Sequence, residues 1–249
     1  MMTEETTNVQ AVRESTVQAE DEGMTSEELA EIMDGRAGFY HFASDALLHE
    51  FTKDQLEELK TMQVGDGASD EMREAFGKIK RYMKHCGTDP RTDLAVDYAR
   101  VFLSAGVYNG LTAEPYESVF TSEDQLMMQD ARDDVVKVYR SQGIQVDPEL
   151  RIPEDHLGLE LDFVSTMSSR AAQYIREADA AEGDYEHVAV AVLVQRDFIA
   201  NHILNWIDPL IEKVDEFSKL PVYPAIMRII KNQAQQDIDF LDEVHTALM

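Results

Sequence analysis

The sequence is poor in cysteine, in basic residues and in long apolar runs. Its single cysteine, Cys86, excludes an intramolecular disulfide and suits a reducing compartment. The 49 acidic residues outnumber the 22 basic ones and give a formal net charge of -27. This excess argues against nucleic acid and anionic membranes as partners and favours basic ones. The longest strongly apolar run, Val188 to Val194, is too short to cross a bilayer. We therefore expect a soluble, cytoplasmic protein.

Strand signals are also absent, because no stretch alternates apolar and polar residues between turns. Helical spacing of apolar residues dominates instead. Polar clusters typical of helix N-caps begin at Thr25, Thr52, Ser69, Asp89 and Ser122. We predict an all-α fold, a single helical domain of about ten helices.

The two ends of the chain differ in composition. Residues 1–23 are acidic and polar, with few large apolar groups, and we predict that they form a disordered tail. Residues 24–249 carry the helical pattern and are predicted to form the globular domain. Within it, Ser104–Thr121 contains two glycines and a proline and is predicted to be a long loop, a length typical of functional segments. Met127 and Met128 are predicted to lie on the helix that Ser122 opens.

The segment from Pro153 to Leu161 combines a proline, three acids and a histidine with apolar residues. Proline is tolerated in the first turn of a helix, so the pattern predicts a helix from Pro153 to about Ala181. His156 and Glu160 are four residues apart and would share one face of it. Such a cluster suits a helix cap, a metal site, an acid–base pair or a recognition site.

Metal-dependent hydrolysis by Asp155, His156 and Glu160 is one reading of this cluster. A helical di-iron site needs two Glu-x-x-His motifs with two further carboxylates, and only Asp242 to His245 approaches a second motif. The sequence contains no His-Glu-x-x-His motif, no nucleophile elbow and no phosphate-binding loop. We therefore expect neither a cofactor nor enzyme activity, with the helical hydrolase kept as an alternative.

Several motifs, taken in order, resemble the TorD/DmsD/NarJ family of redox-enzyme maturation chaperones. They are Tyr116-Glu117-Ser118-Val119-Phe120, Val138-Tyr139-x-x-x-Gly143, Pro153-x-Asp155-His156-Leu157-x-x-Glu160-Leu161 and Phe198-x-x-x-His202-x-x-x-Trp206. The resemblance covers roughly Leu29 to Leu241. The sequence departs from the family at Ile152, where members often carry Glu.

The resemblance implies an all-helical chaperone that binds the twin-arginine signal peptide and the apo form of a molybdenum-cofactor oxidoreductase of the dimethyl-sulfoxide-reductase type. Such a chaperone supports cofactor insertion and prevents premature export. Guanidinium groups followed by an apolar stretch call for carboxylates beside an apolar groove. A lasting assembly subunit is a further alternative, and either a monomer or a swapped dimer is compatible with the pattern. The expected signal-peptide-binding residues are Tyr116, Glu117, Ser118, Phe120, Pro153, Asp155, His156, Leu157, Glu160 and Trp206.

Overall fold

The computed structural model describes residues 24–65, 67–105, 113–180 and 185–249. Across these residues the chain forms ten α-helices and no β-strand, which confirms the predicted all-α class. The predicted tail, residues 1–23, lies outside the described residues. The helices are α1 Ser26–Leu48, α2 Lys53–Thr61, α3 Asp70–His85, α4 Pro90–Phe102, α5 Glu117–Thr121, α6 Asp130–Ser141, α7 Leu157–Ala180, α8 Glu186–Phe198, α9 Ile207–Phe217 and α10 Val222–Leu248.

Side-chain caps define the starts of the first four helices. At α1, the Thr25 hydroxyl accepts a bond from the Glu28 amide (3.2 Å), and the Glu28 carboxylate accepts one from the Thr25 amide (2.8 Å). Thr52 makes the same reciprocal capping box at α2, while Ser69 and Asp89 cap α3 and α4. These bonds satisfy amides that have no partner within the helix. The four predicted starts are therefore confirmed.

The predicted start of α6 at Ser122 is wrong. Ser122 instead ends α5, where its amide donates to the Ser118 carbonyl (3.1 Å). The chain then turns, and α6 begins only at Asp130. The predicted long loop is likewise corrected over Glu117–Thr121, which is helical, while residues 106–112 of that loop lie outside the described residues.

The predicted start of α7 at Pro153 is also wrong. Pro153 belongs to a turn in which the His156 amide donates to its carbonyl (3.1 Å), and the helix begins at Leu157. His156 thus precedes the helix and does not share a helical face with Glu160. The turn brings His156 into contact with Tyr116, which lies far away in the sequence. The local sequence pattern does not encode this contact.

A π-helical turn, Ile199–Ile203, separates α8 from α9. The sequence predicts that Pro209 kinks or divides this region, but Pro209 lies in the first turn of α9, where proline is tolerated. The division falls upstream, at the π-turn and the residues down to Trp206. Single π-turns are frequent at functional sites.

The core forms around the antiparallel packing of long helices, with α1 lying along α7 and α10 packed against α3 and α8. Aromatic rings bind α6, α7 and α8 together, because the Phe163 ring lies 4.8 Å from Tyr139 and 4.4 Å from Phe198. All three rings are buried. Within the described residues, no helix has the length and apolarity needed to cross a membrane.

One polar cluster lies inside this core, and we call Arg36, Tyr40, Ser168, Gln195 and Asp237 the core network. The Arg36 guanidinium pairs with the Asp237 carboxylate (2.8 Å) and donates to Gln195 Oε1 (2.8 Å). The Tyr40 hydroxyl also donates to Asp237 (2.7 Å), and the Ser168 hydroxyl donates to Gln195 (2.8 Å). Where α1, α7, α8 and α10 meet, the buried cation is thus paired with an anion and the polar side chains of the core network are hydrogen-bonded to one another.

Candidate functional site

A short β-bridge joins the segment before α5 to the segment before α7. Tyr116 and His156 pair antiparallel, with their rings edge to face at 5.0 Å. The Glu117 amide donates to the Asp155 carbonyl (2.9 Å), and the Leu157 amide donates to the Pro115 carbonyl (2.8 Å). We call residues 115–120, 153–160 and 202–206 the junction, since the contacts below bring the three segments together.

Asp155 caps a helix that is remote from it in sequence. Its Oδ2 accepts a bond from the Ser118 amide (3.0 Å), one of the free amides in the first turn of α5. The residue preceding α5, Tyr116, provides no side-chain cap. The Ser118 hydroxyl in turn accepts from the Gln129 amide (3.1 Å), which fixes the start of α6. Burial raises the pKa of Asp155, with the charge of Glu117 adding to it, although the bonds from Ser118 oppose the shift.

His156 is a neutral imidazole. Burial lowers its pKa to about 3. The Gly158 amide donates to His156 Nδ1 (3.0 Å), so the ring proton lies on Nε2. Gly158 is required by packing as well, because a Cβ there would lie 2.6 Å from the Leu48 side chain at the end of α1. The start of α7 is thus held against α1 and the bridge at once.

Glu117 links the bridge to the π-turn. Its carboxylate pairs with His202 Nδ1 (3.0 Å) and accepts a bond from the Asn205 amide group (2.9 Å), although only 3% of Glu117 is exposed. Next to this pair, Phe120 stacks on Trp206 with ring centroids 5.5 Å apart. Both contacts join α5 to the residues that precede α9. Residues 202–206 are therefore the third segment of the junction.

Glu160 is fully buried, and neither of its carboxyl oxygens makes a hydrogen bond of ordinary length within the described residues, although the Glu117 carboxyl and the Trp206 indole lie close to it. Burial raises the pKa of Glu160 well above its usual range, and the nearby carboxyls of Glu117 and Asp155 raise it further. Asp155 Oδ1 is also buried without a partner. Among the described residues no Lys or Arg forms an ion pair with any of these three acids. Three carboxyl groups thus converge here, and within the described residues His202 beside Glu117 is the one basic side chain bonded to any of them.

Glu154 stands apart from these three acids. It pairs with Arg132 (2.7 Å). Burial opposes ionisation, but the bond from Arg132 holds the pKa of Glu154 below its usual value. With its charge compensated by Arg132, Glu154 does not offer a free carboxylate in this part of the molecule. A cavity of about 210 Å³ lies beside this pair, between α6 and the turn that follows it.

The structure brings the predicted site residues to one place, but it buries most of them. Tyr116, Phe120 and Pro153 remain partly exposed. The three carboxylates expected to face an open groove, those of Glu117, Asp155 and Glu160, are covered. The buried members of the predicted set are Glu117, Ser118, Asp155, His156, Leu157, Glu160 and Trp206.

The two residues that bond to the Glu117 carboxylate, His202 and Asn205, are missing from the predicted set. His202 is part of the Phe198-x-x-x-His202-x-x-x-Trp206 pattern, which was the available signal. No local sequence pattern marks Asn205, because its bond to Glu117 depends on how the residues after the π-turn pack against α5. Among the described residues, no group of three or more His, Cys, Asp or Glu side chains is arranged to hold a metal ion. The proposed ligand set of Asp155, His156 and Glu160 therefore does not form one.

A match to a protein-family model establishes the family to which this chain belongs. The family model of the nitrate reductase delta subunit matches residues 66–212, more than half of the chain. The chain belongs to this family. The matched span includes the whole junction. The resemblance to redox-enzyme maturation chaperones is thereby confirmed.

Individual relatives extend the similarity over most of the chain. The chaperone protein TorD of Vibrio parahaemolyticus is 26% identical over 202 residues, covering 78% of this chain and 89% of the relative. TorD of Vibrio cholerae is 26% identical over 230 residues, covering 88% and 97%. TorD of Aliivibrio salmonicida is 24% identical over 221 residues, covering 86% and 98%. These relatives carry the name of a chaperone rather than of an enzyme.

Proposed function

We propose that this chain is a cytoplasmic chaperone that binds the twin-arginine signal peptide and the apo form of a molybdenum-cofactor oxidoreductase at the junction. It would hold the client until the cofactor is inserted and so prevent premature export. The relatives named as chaperones support the general activity. The observation that carries the site is the convergence of three buried acids, Glu117, Asp155 and Glu160, without a Lys or Arg partner in the described residues.

The unpartnered oxygens suit a guanidinium ligand. A buried carboxyl group without a hydrogen bond is costly, and native structures contain few of them. An arginine side chain has five N–H donors in a planar fork that matches carboxylate oxygens. The free oxygens of Glu160 and Asp155 Oδ1 are acceptors that such a fork would satisfy. The net charge of -27 also attracts a basic peptide from a distance.

A peptide reaches these groups only if the bridge opens. The bridge rests on two backbone hydrogen bonds, Glu117 to Asp155 and Leu157 to Pro115. Tyr116 and Phe120 lie at its partly exposed edge. We therefore propose that the leader displaces the 115–118 segment from the 155–157 segment and takes over its contacts.

Binding of a synthetic twin-arginine leader, followed by calorimetry, tests the site. The double variant Asp155→Asn, Glu160→Gln keeps side-chain shape and removes both carboxyl groups. We expect it to bind at least about tenfold more weakly, a difference of about 1.4 kcal/mol. A leader with two lysines in place of the arginines should also bind more weakly to the unaltered protein, because Lys lacks the planar fork.

The matched control is Glu58→Gln, Asp239→Asn, which removes two carboxyl groups from exposed positions on α2 and α10. It should bind the leader as the unaltered protein does. Equal affinity of the junction variant and this control would reject the site assignment. An equal loss in both would mean that net charge alone attracts the leader.

A second candidate function is a lasting assembly subunit, because the family is described by a subunit of nitrate reductase. The two candidates differ in when the partner is released. A chaperone should co-purify with the apo form of its client and be absent from the cofactor-loaded enzyme. Recovery of the chain in fixed stoichiometry with the mature enzyme from native cells would favour the subunit.

A further inference from the structure

The turn between α5 and α6 displays three large apolar side chains to solvent. Leu126, Met127 and Met128 are 56%, 45% and 61% exposed. The predicted helical position of the two methionines is wrong, because α6 begins only at Asp130. We call residues 125–128 the methionine turn. Contiguous exposed apolar groups of this kind are typical of binding surfaces.

Hydrogen bonds and backbone geometry hold the methionine turn in place. Gln125 and Met128 have φ angles of 53° and 60°, in the left-handed region that side chains other than glycine seldom adopt. The Leu126 amide donates to the Ser122 hydroxyl (3.4 Å), and the Gln129 amide donates to the Ser118 hydroxyl (3.1 Å). Ser118 also donates its amide to Asp155. The turn is thus connected to the junction through a single residue.

Unpaired acids stand on both sides of the methionine turn. Glu123 and Asp124 precede it and Asp130 follows it, and all three are exposed. Within the described part of the chain, none of them forms an ion pair. The next acids along α6 are compensated, since Asp133 pairs with Arg132 and Asp134 with Lys137. The surface therefore combines apolar groups with uncompensated negative charge.

We propose that the methionine turn binds the apolar stretch of the client's leader, directly after the paired arginines. This inference rests on the proposed function of the junction. In the leader, apolar residues follow the paired arginines. On the protein, the apolar side chains of the methionine turn follow the acids Glu123 and Asp124, so the two segments are complementary. Methionine and leucine side chains adapt to apolar partners of differing shape, which suits leaders that share a pattern rather than one sequence. Ser118 bonds both to Asp155 of the junction and to Gln129, the residue that follows the methionine turn.

Two leader peptides test this inference. One carries paired arginines and the apolar stretch, and the other keeps the arginines but has serines in place of the apolar residues. The test variant is Leu126→Ser, Met127→Ser, Met128→Asn, with Asn chosen because it tolerates the left-handed backbone. The control variant is Val190→Ser, Leu193→Ser, which removes two exposed apolar groups from α8. Affinities are measured by calorimetry, with chain association followed by size-exclusion chromatography.

We expect the turn variant to bind the complete leader about tenfold more weakly and the serine leader as the unaltered protein does. The control variant should bind both leaders normally. Unchanged affinity of the turn variant for the complete leader overturns this inference alone. Failure of the unaltered protein to bind either leader overturns the proposed function and this inference together.

Two further outcomes would also overturn it. A change in association state with unchanged leader affinity would assign the turn to contact between copies of the chain. An equal loss for both leaders would assign it to the fold of the junction. If the triple variant does not fold, Met127→Ser alone decides, since that position has ordinary backbone geometry, and a twofold to threefold selective loss is expected.

Discussion

Two buried polar clusters in this protein differ in how fully their groups are satisfied. In the core network, Asp237 Oδ2 accepts bonds from Arg36 and Tyr40, and Asp237 Oδ1 accepts one from Gln233. At the junction, Glu160 and one oxygen of Asp155 have no partner within the described residues. The core network pairs a cation with an anion, whereas the junction collects three acids.

The difference separates a cluster that serves the fold from one that serves binding. A fully bonded ion pair specifies how α1, α7, α8 and α10 meet, and it needs no ligand to account for it. Unpartnered buried carboxyls do not stabilise a fold, because their desolvation is not offset. Local rules of stability are most often broken at functional sites. The contrast favours the junction over the core network as the place where a cationic ligand binds.

The largest expected effect comes from breaking the core network. Arg36→Met leaves Asp237 buried without its cation and should lower the free energy of unfolding by about 3–5 kcal/mol. Urea unfolding followed by circular dichroism measures the change. Adding Asp237→Leu to the same protein should recover much of the loss, since the stranded charge is then removed. If Arg36→Met lowers the free energy of unfolding by less than about 1 kcal/mol, the core network contributes little to the stability of the fold.

Next in size is the effect of locking the bridge. Tyr116→Cys with His156→Cys, in a Cys86→Ser background, places two thiols at directly paired bridge positions, where a disulfide is feasible. If the leader enters by opening the bridge, the oxidised protein should bind it at least about tenfold more weakly than the same protein reduced. The reduced form is an internal control, because both states carry the same substitutions. Equal affinity in the two states would show that the bridge stays closed during binding.

The smallest effect is expected for Glu160→Gln, and its comparison with Asp237→Asn is the most direct test of how the two clusters differ. Glu160→Gln removes a buried carboxyl group that must take up a proton on folding, and it should raise the free energy of unfolding at pH 7 by about 1 kcal/mol. Asp237→Asn leaves the buried Arg36 without its anion and should lower the free energy of unfolding by about 3–5 kcal/mol. Denaturant unfolding of both variants gives the two signs. A loss of stability in Glu160→Gln would indicate that Glu160 is ionised and bonded in the folded protein.

The same pair of proteins should show a defined pH dependence. Because folding raises the pKa of Glu160, the folded state retains a proton that the unfolded chain releases above about pH 4.5. The advantage of Glu160→Gln should therefore vanish below pH 4.5 and grow as the pH rises. His156 acts in the other direction, since its pKa falls from 6.5 to about 3 and its contribution is lost as the pH drops through that range. Both proteins contain His156, so its contribution cancels when their free energies of unfolding are compared.

Sequence patterns predicted structure well where each residue's partner lies within one helical turn. Thr25 and Thr52 find their capping partners three residues ahead, so the starts of α1 and α2 follow from local chemistry. Ser122 offers a similar local pattern and yet ends a helix. Its neighbourhood is settled instead by the bond between Gln129 and Ser118, eleven positions apart. The same cause displaced the start of α7, because His156 pairs with Tyr116.

By itself, the sequence determined the helical class, the first four helix starts and ten of the residues that meet at the junction. These depend on apolar periodicity, on capping bonds between near neighbours and on the residue types and spacing of short motifs. Only the tertiary structure decided that Asp155 caps α5, that Glu160 is buried without a partner and that Met127 and Met128 face solvent. Burial and charge compensation depend on which distant segments pack together, and no local pattern specifies that packing.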